Sequence, residues 1–139
     1  MKNFHSFTIC GKLLLSLCLF VSGAVLAAKG EGLTKPVSFE KDIRPLFQAN
    51  CNGCHQPAKA KGKYVMTNFA ALLKGGDSEE VAIIPGKPDE SYLVELISPN
   101  DDGEYEMPKG KNAKPLHQDE IELIRRWIAE GAKNDAPEG

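Results

Sequence analysis

The chain has 139 residues, with 17 Lys and Arg against 19 Asp and Glu and a formal net charge of −2. This length fits one small domain. The nearly balanced, slightly acidic composition lacks the strongly basic character of nucleic-acid-binding proteins, so no nucleic-acid partner is expected.

The N-terminal 27 residues have the pattern of a secretory signal peptide. Lys2 and Lys12 give a basic N-terminal region, an apolar stretch follows over residues 13–21, and small residues lead to a cleavage site after Ala27. An uncleaved membrane anchor is the competing interpretation, but the apolar core is shorter than the ~20 residues that a spanning helix needs. The mature chain is therefore expected to be periplasmic or otherwise exported, without a membrane span.

The sequence divides into four predicted parts: a signal peptide over 1–27, a linker over 28–37, a domain over 38–133 and a flexible C-terminal tail over 134–139. In the domain, Phe39, Ile43 and Phe47 recur at helical spacing and predict a first helix over 38–50. Pro45 comes too late for a first-turn proline, so a short 3₁₀ or turn segment, or a kink, is expected before the helix proper.

The first helix ends at the run Cys51-Asn52-Gly53-Cys54-His55. Two thiols one helical turn apart, followed at once by an imidazole, are typical of c-type haem attachment. The alternatives are a zinc site, which needs four ligands, and a thioredoxin-like dithiol, which needs a βαβ context. Neither a second Cys pair nor that context is present. The predicted cofactor is one haem c attached covalently through Cys51 and Cys54, with His55 as an iron ligand.

Three more helices and two long polar loops are predicted after the Cys-X-X-Cys-His run. The helices are one over 68–73 capped by Asn68 and stopped by Gly75 and Gly76, one opened by Asp89 to Ser91 that ends before Pro99, and an amphipathic one over 118–130 ended by Gly131. The loops cover 56–67 and 99–115. Loops of this length are usually functional, and here they are expected to wrap the macrocycle. No strand is predicted, so the fold class is all-α.

The second iron ligand is expected to be Met107. It lies in a polar, proline-bearing loop, where a packing methionine has little reason to be, although an exposed or gap-filling role is the alternative. His117 is the rival, because bis-histidine haems exist, but a residue opening a terminal helix is expected to cap it or meet solvent. Met66 is only 11 residues past His55 and is expected to pack.

Two further segments carry a functional and an ordinary interpretation. The run Ile84-Pro85-Gly86 either offers a backbone carbonyl to the second ring nitrogen of His55 or is a simple turn. Lys59, Lys61 and Lys63 form either a solvated loop or a docking patch near the haem edge.

Several stretches resemble the planctomycete-type cytochrome c domain, a branch of the class I c-type cytochromes. Besides the haem motif, they are Phe39-Glu40-Lys41-Asp42-Ile43-Arg44-Pro45, Leu72-Leu73-Lys74-Gly75-Gly76, Ile84-Pro85-Gly86-Lys87-Pro88, Glu106-Met107-Pro108 and Ile128-Ala129-Glu130-Gly131-Ala132. They occur in the family's order and cover nearly all of the mature chain. The resemblance implies a small cytochrome c-like helical domain wrapped around one covalent haem. It also implies that the N- and C-terminal helices cross, with Phe47 against Trp127 as the candidate contact.

The chain departs from this family's pattern at three places. Lys109 stands where a second proline is common, and Lys133-Asn134 replaces a frequent tryptophan. His117 stands where the family has a Ser or Thr helix cap. Loss of that hydroxyl costs ~1 kcal/mol of helix stability unless Asp119 or Glu120 compensates.

The predicted function is that of an exported, monomeric, monohaem c-type cytochrome that carries single electrons and is not an enzyme. Ligation by His55 and Met107 raises the reduction potential and leaves no axial position for a substrate. The expected partners are redox proteins: a dehydrogenase, an oxidase or a membrane electron-transfer complex. The acidic surface favours partners with basic docking faces. The alternatives are a haem electron-transfer subunit of an oxidoreductase complex, or a haem sensor or peroxidase if the methionine dissociates easily.

Overall fold

The computed structural model describes residues 35–137. This part of the chain forms four α-helices: α1 Arg44–Asn50, α2 Phe69–Lys74, α3 Tyr92–Ile97 and α4 Gln118–Ala129. A π-helical turn at Phe39–Ile43 leads into α1, and 3₁₀ turns lie at Lys61–Lys63 and Pro88–Glu90. The β-type pairing among these residues is limited to an isolated bridge between Pro99 and Tyr105. The predicted all-α fold is thus confirmed.

The predicted signal peptide lies outside the described residues, together with 28–34 of the linker and the last two residues of the tail. Between residues 35 and 137, no helix is long and apolar enough to cross a membrane.

The start of the domain follows the prediction of a distinct turn ahead of the helix. The Ser38 hydroxyl accepts a hydrogen bond from the Lys41 amide at 3.0 Å, and the Asp42 carboxylate accepts one from the Ser38 amide at 2.8 Å. Pro45 lies in the first turn of α1, where its missing N–H costs little. The preceding turn is wider than expected, because the Ile43 amide reaches back five residues to the Ser38 carbonyl. The segment is therefore π-helical rather than 3₁₀.

A cluster of aromatic rings joins the N-terminal segment to α4. Trp127 is 1% exposed, and its ring lies 6.4 Å from that of Phe47 in an edge-on arrangement. Phe39 stacks on the same indole at 5.4 Å, and Phe69 of α2 meets it edge-on at 6.3 Å. The Trp127 Nε1 donates to the Lys133 carbonyl, so the one polar atom of the indole is satisfied. The predicted contact between Phe47 and Trp127 is confirmed.

Helix α2 is capped as predicted, since the Asn68 side chain accepts a hydrogen bond from the Ala71 amide. It ends at Gly75, whose φ of 104° is one that L side chains rarely adopt. The neighbouring Gly76 lies so close to Gly62 that a Cβ would overlap the Gly62 carbonyl. The Asp77 amide donates to that same carbonyl at 2.8 Å. This close approach, the Gly62–Gly76 seam, joins the loop after the haem motif to the end of α2.

The start of α4 shows how the chain replaces the missing hydroxyl cap. The His117 amide donates to the Glu120 carboxylate at 2.8 Å, so Glu120 supplies the compensation considered above. The His117 side chain is exposed. Helix α4 then ends within one residue of the predicted boundary, followed by Gly131 at a φ of 101°.

Candidate functional site

The Cys-X-X-Cys-His run forms a tight turn at the end of α1. The Cys51 amide donates to the Phe47 carbonyl, and the amides of Cys54 and His55 both donate to the Cys51 carbonyl. Both thiols are free, and burial raises the pKa of Cys51 to about 12. A thiol held protonated at neutral pH is a poor nucleophile. This differs from the low-pKa thiolate that dithiol oxidoreductases use.

A metal cluster of the zinc type is also missing from this part of the molecule. Among residues 35–137, no group of three or more His, Cys, Asp or Glu side chains is placed to hold a metal ion. The imidazole of His55 is thus the one nitrogen ligand beside two thiols, which is short of the four ligands of a structural zinc site.

The turn opens onto two adjoining cavities of about 230 and 170 Å³. Together they fall within the ~300–1,000 Å³ of typical ligand sites. Both are bordered by His55 and Met107 and by the apolar residues Leu93 and Leu96 of α3. The smaller cavity is also bordered by Cys51, Cys54, Met66, Ile97 and Leu116, and the larger one by the Gly62–Gly76 seam.

Met107 reaches the cavities because its loop is tied to α3. Its amide donates to the Leu96 carbonyl at 2.7 Å, which fixes the loop beside the helix that forms one cavity wall. The other two candidates lie differently. Met66 is 4% exposed and belongs to the hydrophobic core, and His117 borders neither cavity. The structure therefore brings Cys51, Cys54, His55 and Met107 to one space and leaves His117 outside it.

The prediction of a carbonyl partner from residues 84–86 for His55 is wrong in this structure. The His55 Nδ1 is buried and has no hydrogen-bond partner among the described residues. The Gly86 amide instead donates to the Ile128 carbonyl at 2.7 Å, which ties this turn to the end of α4. The 84–86 segment is thus a structural turn, the ordinary alternative.

The side chain that lies beside the imidazole is Tyr64, which the sequence did not single out. Its ring lies 5.5 Å from that of His55 at 61°. Its hydroxyl donates to the Leu72 carbonyl at 2.7 Å. Burial, with a smaller contribution from Cys51, raises the pKa of Tyr64 well above its usual value, so the phenol keeps its proton and its hydrogen bond. The His55 carbonyl also accepts a hydrogen bond from the Met66 amide, which fixes the backbone of His55, while Tyr64 packs against its ring.

The residues that border these cavities fit a c-type haem. Two free thiols can form thioethers with vinyl groups, and an unpartnered imidazole and a thioether are both haem-iron ligands. The surrounding Leu and Ile side chains suit an apolar macrocycle. Cys51, Cys54, His55 and Met107 are the residues that would hold the group.

In a comparison with known protein families, residues 51–110 match the family model described as planctomycete cytochrome C. Neither the curated proteins nor the solved structures gave a significant match. The matched residues run from the first cysteine of the haem motif to just past Met107, so they include all four residues that meet at the cavities. The stretches at Phe39–Pro45 and Ile128–Ala132 that also resemble the family lie outside the match. Residues 51–110 thus place a planctomycete-type domain of the cytochrome c family in this chain.

Proposed function

We propose that the chain is an exported monohaem electron carrier in which His55 and Met107 are the two axial ligands of a haem bound through Cys51 and Cys54. The observation that carries this proposal is that Cys51, Cys54, His55 and Met107 all border the smaller cavity, and that His55 and Met107 also border the larger one. A haem bound there supplies a one-electron iron couple, and a methionine ligand raises its potential. With both axial positions taken by the chain, no position is left for a substrate.

The remaining residues support electron transfer by keeping the site rigid and dry. Tyr64 packs against His55 and is itself held by the Leu72 carbonyl, so the imidazole has little freedom to move. Leu93 and Leu96 form an apolar wall on α3, which excludes water and lowers the local dielectric constant. A site that changes little between two oxidation states needs little reorganisation, and this favours transfer without a bond-making step.

The test is the visible spectrum of the holoprotein, oxidised, reduced and reduced under carbon monoxide, in three forms: wild type, Met107→Leu and Met66→Leu. We expect the wild type to show a methionine-sulfur charge-transfer band when oxidised and to ignore carbon monoxide when reduced. Met107→Leu should lose the band and bind carbon monoxide, whereas Met66→Leu, a matched change on the wall of the same cavity, should behave as the wild type. Rapid binding of carbon monoxide by the wild type would refute the carrier proposal and favour a catalytic or sensing haem.

Export is the second part of the proposal, and the pattern of residues 1–27 supports it. Covalent haem attachment in bacteria takes place outside the cytoplasmic membrane, which agrees with a signal peptide ahead of a haem motif. Expression with the haem-maturation machinery should give periplasmic protein with an N-terminus at or near Ala28. Cytoplasmic holoprotein that retains Met1 would refute it.

A further inference from the structure

The lysines of this chain are concentrated in two segments that flank the haem motif and Met107. Residues 51–66 and 107–118 contain six lysines and no acidic residue. The rest of the chain holds all 19 acidic residues against 11 basic ones. We name the six residues the lysine face: Lys59, Lys61, Lys63, Lys109, Lys111 and Lys114. A chain with a net charge of −2 thus separates its charge strongly along the sequence.

The fold brings both segments to the mouth of the smaller cavity. Lys61 and Lys109 border that cavity together with Cys51 and Cys54, and no acidic residue borders it. The segment that carries Lys111 and Lys114 is held there at both ends, because Pro108 and Leu116 border the same cavity. All six lysines are exposed.

The first segment is fixed to the haem motif rather than free to move away. The Lys59 Nζ donates to the Gly53 carbonyl at 2.7 Å, and the Lys61 amide donates to the Cys54 carbonyl at 3.2 Å. The backbone turns sharply here, with positive φ values at Ala60 and Lys63. The lysines therefore keep a fixed position beside the edge at which the two thioethers would form.

Acidic residues adjoin the lysine face at its border with the larger cavity. Glu106 pairs with Lys109, with both side chains about 60% exposed, and an exposed pair of this kind contributes little. Asp77 lies next to Gly62 across the seam and borders the larger cavity together with Glu80. No ion pair within residues 35–137 involves Lys61, Lys63, Lys111 or Lys114. Four of the six charges are thus available to a partner.

From this arrangement we propose that the lysine face is the docking surface for an acidic patch on a redox protein. The proposal rests on the proposed electron-carrier function and names the partner of that site. It differs from the expectation based on net charge, because a partner senses the local field at the docking surface rather than the total charge of the molecule. An acidic patch that covers the lysine face lies against the thioether edge, where the path to the iron is short.

The test compares two triple variants with equal net charge. Lys63→Glu, Lys111→Glu and Lys114→Glu remove half of the lysine face and leave both cavity-lining lysines in place. Lys35→Glu, Lys41→Glu and Lys133→Glu are the control, since these three exposed lysines border neither haem cavity. Reduced holoprotein is mixed with ferricyanide in a stopped-flow instrument at increasing salt, and retention on a carboxylate cation-exchange resin is measured at pH 7.

We expect wild type and control to bind the resin at low salt, despite their negative net charge. Their oxidation by ferricyanide should slow by about tenfold as salt screens the attraction. The lysine-face variant should pass through the resin, and its oxidation should become faster with salt. If the wild type is not retained and its rate rises with salt, or if the two variants behave alike, the docking proposal is wrong.

The two readouts keep this proposal separate from the proposed function. Retention does not depend on the haem, so a chain that is retained but exchanges no electrons would refute the carrier and keep the acidic docking surface. A chain that exchanges electrons with the opposite salt dependence would keep the carrier and refute the surface. Cosedimentation of the holoprotein with phosphatidylglycerol vesicles, at salt concentrations that release it from the resin, would assign the lysine face to a membrane and overturn the protein partner.

Discussion

Replacing Gly76 by alanine tests the close approach that forms one wall of the haem cavity. A Cβ at this position would overlap the carbonyl of Gly62 and would lie 3.1 Å from the Cβ of Tyr64. Neither of these atoms can move away easily, because the Gly62 carbonyl belongs to the backbone and the Tyr64 Cβ belongs to a residue packed against His55. The variant must therefore open the Gly62–Gly76 seam.

The cost of that opening has two parts. Overpacking at a tight contact costs about 1–3 kcal/mol, and the hydrogen bond from the Asp77 amide to the Gly62 carbonyl, 2.8 Å long, is worth about 1 kcal/mol. We expect the free energy of unfolding to fall by about 2–4 kcal/mol. For a domain of this size the thermal midpoint then falls by about 8 °C or more.

The assay is guanidinium and thermal unfolding of the holoprotein followed by far-UV circular dichroism. Gly53→Ala is the matched control, because it lies in the haem motif but its added Cβ meets no atom within 4 Å, and it should change stability by no more than about 0.5 kcal/mol. Since the seam borders the larger cavity, Gly76→Ala should also lower the ratio of haem to protein in the purified material. Equal stability of the two variants would mean that the backbones at positions 62 and 76 do not meet.

Two further predictions concern the packing and the pH dependence of the fold. Phe47→Ala removes a ring that is 2% exposed and packs on Trp127, so the free energy of unfolding should fall by about 3–5 kcal/mol. The control Gln48→Ala changes an exposed neighbour and should have almost no effect. Similar losses of stability for both variants would contradict the packing of the N-terminal helix on α4. The Val37 amide, followed by Arg126, lowers the pKa of Glu130 below its ordinary value of 4.5, so its contribution is fully present above that value and is lost as the pH falls through the lowered pKa. In Glu130→Gln the free energy of unfolding should therefore fall less steeply below about pH 4.5, as measured by urea unfolding at several pH values. If the variant and the wild type lose stability equally at acidic pH, this role of Glu130 is refuted.

Local signals in the sequence predicted the helices well because each helix end depends on residues close to it. Asn68 caps α2 and Gly75 ends it at a positive φ, and both roles depend on the chemistry of one residue. The contact between Phe47 and Trp127 was also predictable, because the resemblance to the family implied that the terminal helices cross. The haem motif is similarly local, and the family match begins at Cys51.

Features that depend on the path of the chain in space were missed. The sequence predicted that Gly76 helps to end α2, yet a side chain is excluded at this position mainly because the backbone of Gly62, 14 residues earlier, lies against it. Tyr64 lies in a polar segment without periodicity, so nothing marked it as the neighbour of His55. The 84–86 segment had two interpretations, a partner of His55 and a simple turn, and the structure shows the turn, whose Gly86 amide donates to the Ile128 carbonyl at the end of α4. Each of these features depends on a contact between segments whose relative position no local pattern encodes.

The distribution of packing indicates that folding and haem binding are coupled. The Trp127 cluster borders neither haem cavity, whereas Leu93 and Leu96 of α3 and Met107 border both of them. A macrocycle bound there would give these side chains additional apolar contact.

A chain without haem should therefore keep the Trp127 cluster and lose order around the cavities. In a variant with both Cys51→Ser and Cys54→Ser, which removes the covalent attachment, hydrogen exchange should remain slow in α1 and α4 and become fast in α3 and at Met107. The holoprotein should protect all four segments, because the macrocycle gives Leu93 and Leu96 an apolar surface to pack on. Equal protection of α3 with and without haem would show that the helices alone supply a sufficient core. The predicted contrast follows from where the apolar contacts lie: Phe47 and Trp127 pack against each other away from the cavities, whereas Leu93, Leu96 and Met107 border both cavities.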